Sequence, residues 1–239
     1  MMIDVSNTES AGPISRRAKS AEKRDNPEAR PRPPRPTAGR ALETYEKLVT
    51  AAGELLAEVG FERLTSNAVC ARVQVTPPAF YRYFNDKYEV LEELAERLLK
   101  KQNDAFAVWL FRGGAWGEPA HRVAALEAWF RTAADIVAKE PGGIWTIRAL
   151  RALPNLAHIR LKSQRQFTDQ MCELARRLWP QVPPDLLWYR LRIGAEFGYV
   201  IDELALEEDR LPSDVLFREA AYLISGLMDG LVRTEETKI

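Results

Sequence analysis

Thr76-Pro77-Pro78-Ala79-Phe80-Tyr81-Arg82-Tyr83-Phe84-Asn85-Asp86-Lys87-Tyr88-Glu89-Val90-Leu91 is the stretch that decides the fold. A Thr followed by two prolines is a helix start, because the hydroxyl can cap and a missing N–H in the first turn costs nothing. Phe80 and Phe84, spaced i and i+4, put one face of a short helix over 77–84 into a core. The opposite face then carries Pro77, Pro78, Ala79, Tyr81, Arg82 and Tyr83. Such a face suits phosphate and base-edge contact in a major groove; the plainer reading is a solvated face with aromatic packing. The short helix ends near Asn85, and Asp86 can cap a much longer one. Val90, Leu91, Leu94, Leu98, Phe106 and Trp109 line one side of that longer helix.

Upstream, Tyr45, Leu48, Val49, Ala52, Leu55, Leu56 and Val59 recur at three- and four-residue steps from Thr44, which marks an amphipathic helix. Gly60 stops it, since glycine takes the left-handed cap conformation without steric cost. Thr65 or Ser66 can start the next helix, whose Val69 and Val73 face the first, with Val75 in the turn that follows. Two short helices about three residues apart, packed on a first and followed by a long one, make a helix-turn-helix. Downstream the pattern predicts helices over 121–139, 144–152, 155–179, 184–207 and 212–233, punctuated by Pro141-Gly142-Gly143, Pro154 and Pro180. Gly113-Gly114-Ala115-Trp116-Gly117 reads as an interhelical loop, because it lacks the Lys-Ser/Thr of a phosphate loop. No run shows a period of two and no repeat is present. The fold class is therefore all-α with about nine helices.

The 239 residues carry 34 basic and 34 acidic side chains, so a polycation is excluded while a local basic surface is not. No stretch without Asp, Glu, Lys or Arg exceeds nine residues, against the roughly 20 apolar residues of a membrane span. The first residues lack the basic-then-apolar order of a secretory signal. Cys70 and Cys172 cannot make a disulfide scaffold or a four-Cys zinc site. These features together predict a cytoplasmic protein with reduced thiols. Residues 1–40 hold six of the 15 prolines, no Leu, Phe, Tyr or Trp, and nine basic against five acidic side chains. Such a segment buries too little apolar area to offset its ordering entropy and is predicted to be disordered. It is either a solvated leader or a basic arm that reaches DNA phosphates or a minor groove.

Residues 45–91 resemble the DNA-binding domain of the TetR family of transcriptional regulators. The resemblance is carried by Ala51-Ala52, Leu55-Leu56, Gly60-Phe61, Leu64-Thr65, Val75-Thr76 and above all the run from Phe80 to Leu91. It implies that Thr65 and Ser66 touch a phosphate and that Thr76 caps the recognition helix. It further implies that Pro78, Ala79, Tyr81 and Arg82 face the groove, and that Tyr83 and Lys87 hold the DNA backbone; Pro77 joins the candidate contacts from its place on the same face. Gln74 departs from the pattern, standing where the family places the glycine of the turn. A side chain in the left-handed conformation there costs about 1–2 kcal/mol, so either the turn is reshaped or the strain is tolerated.

The chain then divides into a leader (1–40), a helix-turn-helix domain (41–90) and a helical effector-binding and dimerisation domain (91–239). Between Val215 and Val232 only Arg218, Glu219 and Asp229 are charged, so the last helix must be covered on two sides. The resemblance implies that the last two helices pair with their copies in a dimer, with Gly194, Gly198, Ala220, Ile224, Leu227 and Leu231 at the interface. Aromatic residues crowd the middle helices, either as ordinary core or as a pocket for an apolar or aromatic effector. Candidate ligand contacts are Gln102, Phe106, Trp109, Phe130, Trp145, His158, Phe167 and Gln170. His121 and His158 form no triad and no metal spacing, so no catalytic residue, metal or cofactor is expected. The expected function is a homodimeric regulator of a pseudo-palindromic DNA operator, a repressor released by its effector. The alternative is a helical protein-interaction module that keeps the fold without binding DNA.

Overall fold

The computed structural model describes residues 31–114 and 116–231. Its first helix, α1 (Gly39–Arg63), breaks at Gly60, whose φ of 71° and ψ of 176° leave the helical region before one last turn. A Cβ at Gly60 would lie 3.3 Å from the Trp145 ring, so the glycine serves both the backbone angle and a close approach. α2 (Ser66–Val73) starts under a side-chain cap, with Thr65 Oγ1 accepting from the Ala68 N–H at 3.1 Å. It ends on Gln74 in the left-handed region, φ 57° and ψ 42°. The turn is thus not reshaped; the strain is accepted, while Val75 N–H donates to the Cys70 carbonyl at 3.0 Å.

α3 (Pro77–Tyr81) is shorter than the expected 77–84. The chain leaves the helix at Arg82, and the N–H groups of Tyr83 and Phe84 both donate to the Phe80 carbonyl. α4 (Lys87–Phe111) then opens on Asp86, whose carboxylate accepts from the N–H groups of Tyr88 and Glu89 at 2.8 and 3.1 Å. Glu89 reaches back to the Asn85 N–H at 2.6 Å, so the helix start is closed in both directions. α5 (Pro119–Lys139), α6 (Gly143–Ala152), a 3-10 turn (Pro154–Leu156), α7 (Ala157–Leu178), α8 (Pro184–Glu207) and α9 (Ser213–Leu231) complete the described chain. Among the described residues there is no strand, and no helix is long and apolar enough to cross a membrane.

Three apolar clusters hold these helices. The first gathers Tyr45, Leu48, Leu56, Phe80, Phe84 and Leu91 between α1, α2, α3 and the start of α4. The second, with Leu98, Ile147, Leu150, Leu156 and Ile159, fixes α4 against α6 and α7. The third packs Phe106, Trp129, Phe130, Leu187, Leu191 and Phe217 between α4, α5, α7, α8 and α9. Each fully buried Leu or Phe contributes about 1.5–3 kcal/mol. α1 meets the α5–α6 turn so closely that a Cβ on Gly53 would come 2.7 Å from the Pro141 carbonyl oxygen.

The leader needs correction where it is described. Residues 31–38 run extended beside α4 instead of being loose, because Arg32 and Arg35 both pair with the buried Glu93 carboxylate (Arg32 at 2.6 Å) and with Glu96. Arg97 closes the cluster, donating to Glu93 at 2.7 Å and to Glu46 at 2.6 Å. Pro31 offers its carbonyl to the Asn85 side chain. The rest of the expected leader, residues 1–30, lies outside the described residues, as does the expected helical continuation to Arg233.

Candidate functional site

The short helix α3 stands out from the core on Phe80, which is fully buried and packs on Phe84 with ring centroids 5.5 Å apart. Thr76, Pro77, Pro78, Tyr81 and Arg82 are exposed, and Ala79 is half-buried. Thr76 sits at the cap position, but its hydroxyl makes no capping bond; the first turn is closed by its carbonyl, which accepts from Ala79 N–H at 2.9 Å. The hydroxyls of Ser66 and Tyr81 lie 3.2 Å apart and tie the two helices of the motif together at the surface. Arg82 has no carboxylate partner among the described residues, and its guanidinium lies 6.0 Å from the Tyr83 ring centre.

Tyr83 is not on this surface. It is buried against Tyr45, edge to face, with ring centroids 5.9 Å apart. The expectation failed because α3 ends at Tyr81, so the helical projection no longer holds at position 83. Lys87, in the first turn of α4, holds its ammonium 4.4 Å from the centre of the Phe61 ring and donates to the Phe61 carbonyl at 3.4 Å. The exposed surface therefore offers hydroxyls, small apolar groups and one guanidinium, flanked by an ammonium: a set suited to phosphates, base edges and thymine methyls.

Away from this surface, a cavity of about 340 Å³ lies between α4, α5, α7, α8 and α9. Phe106, Trp109, Phe130 and Phe167 line it, joined by Trp116, Leu126, Trp129 and Met171. Phe106 and Phe167 stack with centroids 3.6 Å apart. Trp109 spends its indole N–H on the Ala125 carbonyl at 3.1 Å and shows the cavity only its ring. The walls are apolar almost throughout, so the space favours an apolar or aromatic guest. Gln102 is buried in a smaller adjoining void with Asn103, Tyr199 and Asp202.

Three expected ligand residues lie elsewhere. Trp145 packs against α1 at Gly60 and under Arg148, in the joint between the reading helices and the rest. His158 is exposed, bonded to the Asn155 carbonyl, and with Gln170 borders a surface groove between α4 and α7. Counting aromatic and polar residues along helices does not separate a joint, a groove and a cavity. Asp202 went unread because α8 carries five acids and their spacing does not single out the buried one.

Residues 48–94 match the model of the bacterial regulatory proteins of the tetR family. Over these residues the chain carries the regulatory-protein domain of that family. Among similar solved structures, a TetR-family regulator from Streptomyces coelicolor has a TM-score of 0.61 at 17% identity, over 79% of this chain and 82% of that one. The fatty acid degradation regulator FadR from Bacillus halodurans scores 0.57 at 15% identity, over 79% and 96%. FadR from Thermus thermophilus, a repressor solved with lauroyl-CoA, scores 0.55 at 19% identity, over 81% and 98%. At these identities the likeness is one of fold. No curated protein matches the chain in sequence.

The last two helices leave an apolar face uncovered. Tyr189, Ile193, Phe197, Val200 and Leu204 repeat at helical spacing along α8, and Tyr222, Leu223 and Leu227 along α9, all exposed. A Cβ on Gly194, Gly198, Gly226 or Gly230 would meet nothing within 4 Å. Ile224 and Leu227 lie at this face and also line the cavity, as do Gly194 and Gly198. Ala220 belongs instead to the interior, 4% exposed against α5, because its neighbours on the helix face, Leu216 and Phe217, turn the same way into the core. The expected contact of Leu231 falls on a side chain outside the described residues.

Proposed function

We propose that this chain is a homodimeric repressor that leaves a pseudo-palindromic operator when an apolar or aromatic effector fills the cavity. In this reading residues 41–90 bind DNA and residues 91–239 bind the effector and the second subunit. One observation carries it: α4 begins beneath the reading helix and ends as a wall of the cavity, with Lys87 at one end and Phe106 and Trp109 at the other. A guest that prefers one placement of α4 therefore biases the spacing of two reading helices in a dimer. Only differential affinity for the two placements counts, and about 1–3 kcal/mol is typical of such coupling. The uncovered α8–α9 face supports pairing of two copies, since one short recognition helix reads too few base pairs for useful specificity.

The test is selection of duplexes from a random pool by the full chain, followed by mobility shifts with the enriched sequence. The expected outcome is a two-fold symmetric consensus whose complex is dissolved by hydrophobic aromatic compounds. Absence of any enrichment, or DNA retention that is nil at every salt concentration, overturns DNA reading in favour of a protein-interaction module. A symmetric consensus whose complex no apolar compound disturbs overturns only effector release.

A further inference from the structure

The inner end of the cavity differs chemically from its walls. Trp129, Phe130, Phe167, Ala195 and Gly198 are shared with a smaller void of about 30 Å³, where Gln102 and Asp202 stand. Both side chains are more than nine-tenths buried, and Gln102 Oε1 and Asp202 Oδ1 have no hydrogen-bond partner. Their polar neighbour Asn103 is already engaged with Ser163 at 3.0 Å. Two unmet acceptors, one of them a carboxylate, therefore stand at the end of a space lined mostly by aromatic and aliphatic groups, with Arg190 its one charged lining residue. A buried carboxylate left without a donor is costly, and a cationic donor relieves it most.

We propose that the effector is a ring-bearing amine, its apolar body among the aromatic walls and its ammonium group between Gln102 and Asp202. This rests on the reading of the cavity as the effector site and adds the chemical class of the guest. The wall rings also suit a cation, which aromatic faces attract. An acid of the same shape is disfavoured by the carboxylate already there, and a plain hydrocarbon leaves both acceptors unmet. Burial pushes the Asp202 carboxyl up to about 7, with Arg151 of α6 acting the other way. The other groups facing it are Tyr199 on its own helix and the neutral amides of Gln102 and Asn103 on α4; α5 supplies Ala133. Arg151 is bound to Glu203 through Nε at 2.8 Å, and its Nη2 is buried without a hydrogen-bond partner.

Calorimetry of the full chain with naphthylmethylamine, naphthylmethanol and naphthoic acid tests the proposal. At about pH 8 the amine should bind about tenfold tighter than the alcohol, and the acid weakest. Asp202→Asn should erase the preference for the amine. In the unaltered protein, amine affinity should fall about tenfold between about pH 8 and pH 6, as the carboxylate takes up its proton, while alcohol affinity stays level. This pH comparison decides the matter even if the variant does not fold. Equal affinities, as a void merely holding water would give, overturn the proposal, and so does a preference that survives Asp202→Asn. In either case, probes that bind and release DNA leave the cavity reading standing. If none of the three enters, the cavity reading falls with it.

Discussion

At the start of α4, the ammonium of Lys87 lies over one ring and against one carbonyl, both belonging to Phe61. That anchorage holds the charge in the first turn of α4, beside the exposed face of α3. Lys87→Ala should weaken operator and random DNA alike and reduce the slope of log affinity against log salt by about one per subunit. Binding isotherms at several salt concentrations check this; a loss confined to the operator would show base reading instead. Arg82 offers the contrasting case, exposed at the end of α3. Asp202 makes a different prediction. Its carboxyl rises from an ordinary 3.8 to about 7 in the fold, so between those values the native protein binds the proton more firmly than the unfolded chain. Stability from this group is therefore greatest at low pH and is lost as pH rises through about 7. Urea unfolding of ligand-free Asp202→Asn should show a gain at about pH 8 that is larger than at about pH 5. At this scale the sequence was legible wherever a residue's role is local. The Thr65 and Asp86 caps and the left-handed Gln74 follow from neighbours a few positions away. Tyr83 and Trp145 do not, since one depends on where a helix stops and the other on which helix it meets.

Between elements, two joints tie the reading domain to the rest. At one, Gly53 of α1 lies against Pro141, and a Cβ on Gly142 would likewise come 2.5 Å from the Gly53 carbonyl oxygen. Gly53→Ala must push α1 away from the α5–α6 turn, at a cost of about 1–3 kcal/mol. The check is urea unfolding, where a change below the error of the midpoint would mean that the joint yields freely. At the other joint, the strap over residues 31–38 lies on Glu93, whose carboxylate collects Arg32, Arg35 and Arg97. Glu93 also acts on Tyr45, whose hydroxyl is pushed up to about 12, first by burial and then by that carboxylate. The helices themselves were legible because apolar spacing, Pro and Gly write their limits into the chain. The strap was not, since a Pro- and Arg-rich segment has no apolar face and is ordered here by an acid 61 residues away.

Among the described residues, the α8–α9 face exposes a run of large apolar side chains, Leu223 among them at 72% exposed. A contiguous apolar patch of this kind marks an interaction site. Leu223→Arg should convert a dimer to a monomer in sedimentation at micromolar protein and weaken operator binding in parallel. A wild-type chain that sediments as a monomer would remove pairing through this face.

The mouth of the cavity lies in that same face, between Ile193, Phe197 and Leu227. In the proposed dimer, two copies joined there would stopper each other's entrance. A guest then gets in or out only during moments when the subunits part or loosen, so its dwell time is set by the interface as much as by its own contacts. Raising the protein concentration slows exchange instead of hastening it. A brief exposure to effector would thereby be stretched into a response as long-lived as the contact between the two halves.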